Sequence, residues 1–205
     1  MDARIQSLLA EYHLRAESEW KLMNELPPDQ LMSKLDDFLL PVGESSGTLL
    51  NILVKAQKAK TILELGTSYG YSTVWLAEAA KETDGRVVTL ELSAEKSAYA
   101  KAQLGRVGLD AFVDFRVGDA LETLKGVPGP IDFVLVDLWK DLYIPCFDLF
   151  APKLGAGAMV AADNMIEPSR TRPEAEAYRA HVRASGKFDS VLLPVGSGIE
   201  LSRLR

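Results

Sequence analysis

The chain has 205 residues, of which 47% are apolar and 25% charged, the balance of an ordinary globular protein with one sizeable core. Lys and Arg number 23 against 29 Asp and Glu, a formal net charge of −6, which argues against a basic face for nucleic-acid backbones. The only cysteine, Cys146, has no intrachain disulfide partner and points to a reducing compartment, the cytoplasm. No apolar run approaches the roughly 20 residues of a membrane span, and the charged N-terminal stretch lacks the form of a secretion signal.

Residues 3–24 have helical periodicity, with Ile5, Leu8, Leu9, Tyr12 and Trp20 near one stripe. The prolines of "ELPPDQ" interrupt it. Residues 29–40 and 48–59 read as two more helices, separated by a "PVGESSG" loop. Residues 1–60 thus form a helical cap or outer layer. From there the pattern changes to short apolar runs alternating with helical stretches. Strands are expected at 61–65, 86–92, 112–117, 131–137, 157–163, 190–195 and 198–204. Helices are expected at 72–80, 94–107, 120–125, 143–151 and 174–185. This alternation predicts an α/β fold in one domain, a mostly parallel sheet with helices on both faces over residues 61–205. The tight Gly196-Ser197-Gly198 connection predicts a final antiparallel hairpin. Ligands of open α/β sheets bind beyond the carboxyl ends of the strands. Glu64, Glu91, Asp119, Asp137 and Asp163 all fall on that rim.

"ELGTSYGYS" (64–72) is a strand, a glycine loop and a helix start. Gly66 and Gly70 allow a tight turn and a close approach to a ligand, and Ser72 is placed to cap the helix. The G-x-G-x-x-G fingerprint is absent, and Glu64 would repel a pyrophosphate but attract an ammonium. Glu91, ending the next strand, is placed to accept hydrogen bonds from ribose hydroxyls. The ligand implied is a nucleoside carrying an amino acid.

At the other end of the rim, "VDLWKDLY" brings Asp137, Trp139 and Lys140, and "ADN" brings Asp163 and Asn164. Two carboxylates and an amide oxygen suit a hard cation such as Mg²⁺; alternatively, each Asp caps a turn. Lys140 is a candidate proton acceptor, since a nearby cation and burial both lower an amine's pKa; alternatively it is a surface lysine.

The order Glu-Leu-Gly, Gly-Tyr-Ser and Glu91 resembles the class I S-adenosylmethionine-dependent methyltransferases, and "DLWKDLY" with "ADN" resembles the metal-dependent catechol O-methyltransferase-like branch, related to caffeoyl-CoA O-methyltransferases. That resemblance implies a Rossmann-like, seven-stranded sheet with an antiparallel last strand. It implies that Val42 and Ser72 hold the methionine end, with Glu64 and the Gly66 backbone lining its pocket. Glu91 would take the ribose hydroxyls, and Asp119, Ala120 and Trp139 would surround the adenine, with Asp137 bordering both cofactor and ion. Trp139, Lys140 and Asn164 would face the substrate, and Glu200, in "SGIELS", would bind its second hydroxyl; as a residue of an alternating strand, Glu200 reads equally as solvent-facing. The catechol enzyme has a histidine where Leu138 stands here, and Thr67, Ser68 and Tyr69 also differ. Arg170 and Arg172 either meet an acidic substituent on the substrate or are solvated loop residues.

The reading is therefore S-adenosylmethionine- and Mg²⁺-dependent O-methylation of a small aromatic vicinal diol, with a homodimer left open. Its rivals are a nicotinamide-dependent oxidoreductase, which lacks its glycine fingerprint and a Tyr-x-x-x-Lys pair, and a non-catalytic binding module of the same fold.

Overall fold

The computed structural model describes residues 1–205, apart from the side chains of Pro28 and Asp29. Its strands are β1 (Thr61–Leu65), β2 (Arg86–Glu91), β3 (Val113–Val117), β4 (Ile131–Val136), β5 (Leu154–Ala162), β6 (Phe188–Leu193) and β7 (Ile199–Leu204). The helices are α1 (Ala3–Glu25), α2 (Pro28–Lys34), α3 (Glu44–Gln57), α4 (Tyr71–Thr83), α5 (Ala94–Arg106), α6 (Ala120–Lys125), α7 (Tyr143–Phe150) and α8 (Arg172–Ala184). One seven-stranded sheet runs β3-β2-β1-β4-β5-β7-β6. β1 to β5 pair in parallel, and β7 is antiparallel to both neighbours. None of these helices is long and apolar enough to cross a membrane.

The central strands are apolar on both faces, as strands covered twice must be. In β4, Phe133 and Leu135 pack on the α1, α3 and α4 side, while Val134 and Val136 pack on the α7 and α8 side. The N-terminal helices complete the first of these layers: Ile5, Leu8, Leu9 and Tyr12 of α1 share a core with Leu50 and Val54 of α3 and Val74 of α4. Full burial of a leucine such as Leu50 stabilises by about 1.5–3 kcal/mol.

Three expectations need correction here. Trp20 leaves the α1 stripe and is 65% exposed, because only the first half of the helix, through Tyr12, packs into the core shared with α3 and α4. The second helix is shorter than expected: α2 is followed by a 3-10 turn at Leu35–Asp37, after which the chain extends at Phe38. The third begins four residues early, with Gly43 as its N-cap and Glu44 in its first turn, where an acidic residue complements the helix dipole.

The chain passes from β1 outward to β3 and then returns to place β4 beside β1. At such a reversal the loops leaving two neighbouring strands diverge and open a crevice. Gly66 follows β1 there and Asp137 follows β4.

Candidate active site

A cavity of about 530 Å³ occupies this crevice. Gly66, Ser68, Glu91, Gly118, Asp119 and Ala120 line one end, and Asp137, Trp139, Lys140, Asn164, Pro168 and Arg170 the other. The roof is apolar and comes from the N-terminal region: Met23, Leu31, Leu35, Phe38 and Leu40. An ion pair of 2.8 Å between Lys96 and Asp36 fastens this roof to α5.

Glycine is dictated at position 66 by the meeting of β1 and β4. Its φ is 98°, and a Cβ would fall 2.0 Å from the Asp137 carbonyl oxygen. Gly70, with φ 93°, is the N-cap of α4 and sits so close to Ala100 that a Cβ would approach its methyl to 2.8 Å. Ser72 therefore does not cap the helix. It donates instead to Glu64 Oε1 at 2.7 Å, while Thr73 and Thr89 donate to Oε2 at 2.6 Å each. Burial pushes the Glu64 carboxyl up to about 7, against the pull of these three hydroxyls. Glu64 and Ser72 lie beneath the loop and outside the cavity lining, with Glu64 fully buried. These side chains bond to one another, since a buried carboxylate recruits the nearest donors. Val42 also turns into the core, beside Leu39 and Leu50.

Glu91 does face the cavity. Its carboxylate accepts from Ser68 N at 2.7 Å and Ser93 N at 2.9 Å, which fixes its plane and leaves lone pairs for further donors. Asp119 caps α6 by accepting from Glu122 N at 3.1 Å, and Leu138 stands on the wall between this end and the next.

At the other end, the β-ladder continues one step past the strands. Asp137 N donates to Leu65 O at 2.9 Å and Asp163 N to Val136 O at 3.0 Å. Asp137 and Asp163 therefore end adjacent parallel strands in register, on strands about 4.8 Å apart. Burial, foremost, pushes Asp137 up to about 6 and Asp163 up to about 8, and the negative charge of Asp137 adds to the rise of Asp163. Asp163 Oδ1 is buried without a partner. Asn164 follows with φ 54°, a left-handed conformation that Asn tolerates. Among the described residues no three His, Cys, Asp or Glu side chains cluster as a metal site. A cation at this place would have two carboxylates and the Asn164 amide, with other positions left to further oxygens. An orphaned buried carboxylate oxygen beside a second carboxylate fits a hard cation, because such a charge needs compensation.

Lys140 lies between these groups. Its ammonium donates to Tyr143 Oη at 2.5 Å and to Asp163 O at 3.1 Å, and stands 3.8 Å above the Tyr143 ring centroid. Burial pulls its pKa down to about 8, against the attraction of Asp137 and Asp163. Tyr143, fully buried and itself donating to Asp163 O at 3.2 Å, was not singled out from the sequence; its signal was the three-residue spacing from Lys140 at the start of a helix.

Glu200 requires correction. It is fully buried, accepting from Arg179 Nε at 3.0 Å and from Arg183 Nη2 at 2.7 Å. Its charge is spent on anchoring α8 to β7, and it neither meets the cavity nor faces solvent. The two loop arginines separate as well: Arg172 Nη2 donates to Ile166 O at 3.1 Å, away from the cavity, whereas Arg170 lines it.

This strand order, with its antiparallel seventh strand and a glycine loop opening onto an acidic residue at the end of β2, defines the Rossmann-like methyltransferase fold. An O-methyltransferase family model matches residues 15–205, and the chain belongs to that family, the S-adenosylmethionine-dependent O-methyltransferases. It is 32% identical over 157 residues to a catechol O-methyltransferase of Niastella koreensis, covering 75% of this chain and 70% of the relative. Among solved structures, an O-methyltransferase from Bacillus cereus in complex with S-adenosylhomocysteine superposes with a TM-score of 0.74 at 26% identity, covering 100% of this chain and 92% of the other. The O-methyltransferase TomG from Streptomyces achromogenes, involved in tomaymycin synthesis and in complex with S-adenosylmethionine, gives 0.72 at 27% identity, covering 100% and 90%. The oxidoreductase and non-catalytic readings are thereby set aside.

Proposed function

We propose that the protein methylates one hydroxyl of a small aromatic vicinal diol and uses a divalent cation, Mg²⁺ by its oxygen donor set. The observation that carries this is the in-register pair formed by Asp137, which lines the cavity with Lys140, and Asp163, which is buried with one carboxylate oxygen short of a donor. The Niastella relative named a catechol O-methyltransferase supports the diol. When bound, S-adenosylmethionine supplies an electrophilic methyl group, and the cation supplies a Lewis acid that acidifies the acceptor.

The chain's own residues do the remaining work. Asp137, Asp163 and Asn164 would hold the cation at the strand ends, and Trp139 walls the space between the two reactants. Glu91 would hold the ribose, Asp119 and Ala120 would border the adenine, and the Gly66 backbone would border the methionine end from above Glu64 and Ser72. Lys140, neutral in a large fraction near pH 8, would take the acceptor's proton on Nζ. The Tyr143 hydroxyl and the Asp163 carbonyl steer that amine toward the carboxylate pair. The apolar roof over Leu35 and Phe38 keeps water from the line of transfer, so alignment of the reactants contributes much of the acceleration.

An acceptor panel of catechols, caffeoyl compounds and monophenols, read by methyl transfer, tests this. Methylation of vicinal diols with monophenols inert is the expected result. Equal turnover of monophenols would remove the diol reading, because a single hydroxyl offers no chelating pair.

A further inference from the structure

Among the described residues, Lys96, Lys140 and Arg170 are the cations lining the cavity. Lys96 is paired with Asp36, and Lys140 is bonded to Tyr143 and Asp163. Arg170 alone of the three makes no hydrogen bond or ion pair within the described structure, although the chain carries a net charge of −6.

The turn that presents Arg170 is well tethered. Ile166 N and Glu167 N donate to Ser197 O at 2.9 and 3.0 Å, which ties the segment to the β6–β7 connection. Thr171 N and Thr171 Oγ1 both donate to Pro168 O at 3.0 Å, closing the 3-10 turn Ser169–Thr171 around Arg170. Arg172 pins the far side through Ile166 O. The guanidinium is therefore carried on a fixed turn, six residues beyond Asn164, at the acceptor end of the cavity and away from Glu91 and Asp119. Nearer the strand ends, the surroundings are apolar: Trp139, Leu142 and Pro168.

We infer that the preferred acceptor is a diol bearing an anionic substituent, a carboxylate at the end of a short apolar arm, which Arg170 receives at the mouth. This rests on the diol reading above. A guanidinium matches a carboxylate by two parallel N–H donors, and an apolar arm would run along Trp139 and Leu142 to reach it. The contact is made equally before and during methyl transfer, so it lowers KM and leaves kcat unchanged.

The test compares dihydroxyphenylpropionate with its primary amide, which has the same shape without the charge and has its substituent too far from the ring to alter the hydroxyls. In the native protein KM is expected to be about 2- to 10-fold lower for the acid, the range of a half-exposed bidentate pair. Arg170→Ala should abolish the difference with the amide's kinetics retained, and Arg170→Glu should invert it. Arg172→Ala should leave the ratio intact. An unchanged ratio in Arg170→Glu, or the same loss of ratio in Arg172→Ala, would overturn the inference. Equal KM values for acid and amide in the native protein would overturn it while leaving the diol reading standing; failure to methylate either would overturn both.

Discussion

The two ends of the cavity treat their carboxylates differently. Under the glycine loop, Glu64 is fully buried yet has three hydroxyl donors, and Glu91 has two backbone donors. At the ends of β4 and β5, Asp137 and Asp163 face each other, and Asp163 keeps a buried oxygen with no donor at all. The first end is a finished hydrogen-bonded cradle. The second is left electrostatically incomplete at that Asp163 oxygen, although burial raises carboxyls at both ends. A protein uses donors to satisfy a charge it means to keep still; a charge left short of donors is compensated by something that arrives. The first end thus suits a polar ligand held by hydrogen bonds, and the second a cation.

The largest effect expected from a single change lies at the incomplete end. Lys140→Ala should lower turnover by about 10²–10⁴-fold, the usual worth of a positioned general base, with S-adenosylhomocysteine affinity retained. Raising the pH should recover part of the rate as hydroxide takes the proton. A loss of acceptor affinity with turnover intact would make Lys140 a binding residue.

The cradle end is probed by pH. Because burial lifts Glu64 from 4.5 to about 7, its neutral form is favoured in the fold. Its contribution to stability is fully present below about 4.5 and is lost as pH rises through about 7. Denaturant unfolding of the native protein and Glu64→Gln across that window should show the native protein losing ground to the variant with rising pH, by on the order of 2–3 kcal/mol. A constant difference would mean that the three hydroxyls hold the carboxylate ionised throughout.

Glu91→Gln should weaken S-adenosylhomocysteine binding by about 1–3 kcal/mol, read by calorimetric titration, since an amide mispairs with donors arranged around a carboxylate. An unchanged affinity would remove Glu91 from the cofactor site.

The smallest effect should come from Tyr143→Phe, which keeps the ring under the ammonium and deletes the hydroxyl. Turnover should fall by about 3–10-fold, the net worth of one ordinary hydrogen bond. In a Lys140→Ala background the same change should cost nothing further, because its target is gone. Additive losses would assign Tyr143 a structural role independent of Lys140.

The parallel core was legible in the sequence because buried strands such as "TILEL" and "IDFVLVD" are short, apolar and punctuated by glycine and proline. The rim followed from them, since each of the five parallel strands carries an acid at or just past its end. What stayed hidden depended on long-range partners. Strand alternation places Glu200 on a face but does not reveal that Arg179 and Arg183, one turn apart on α8, converge on it. The same holds for Ser72, whose helix position suggested a cap until Gly70 took that place and Glu64 took its hydroxyl. The roof was obscured for a local reason: residues 28–37 form a short helix and a 3-10 turn from which Leu31 and Leu35 line a cavity, so their spacing follows no simple period. Trp20 failed oppositely, continuing a periodic stripe beyond the part of α1 that packs into the core.

If the contrast between the two ends holds, the β4–β5 end works through a cation while the cradle works without one. The direct measurement is methyl transfer to a catechol by chelator-treated protein, with Mg²⁺ then restored, and S-adenosylhomocysteine binding measured on the same samples. Turnover should vanish on chelation and return with Mg²⁺, while S-adenosylhomocysteine affinity changes little. Full turnover in the chelated protein, or cofactor binding lost along with the cation, would contradict that contrast.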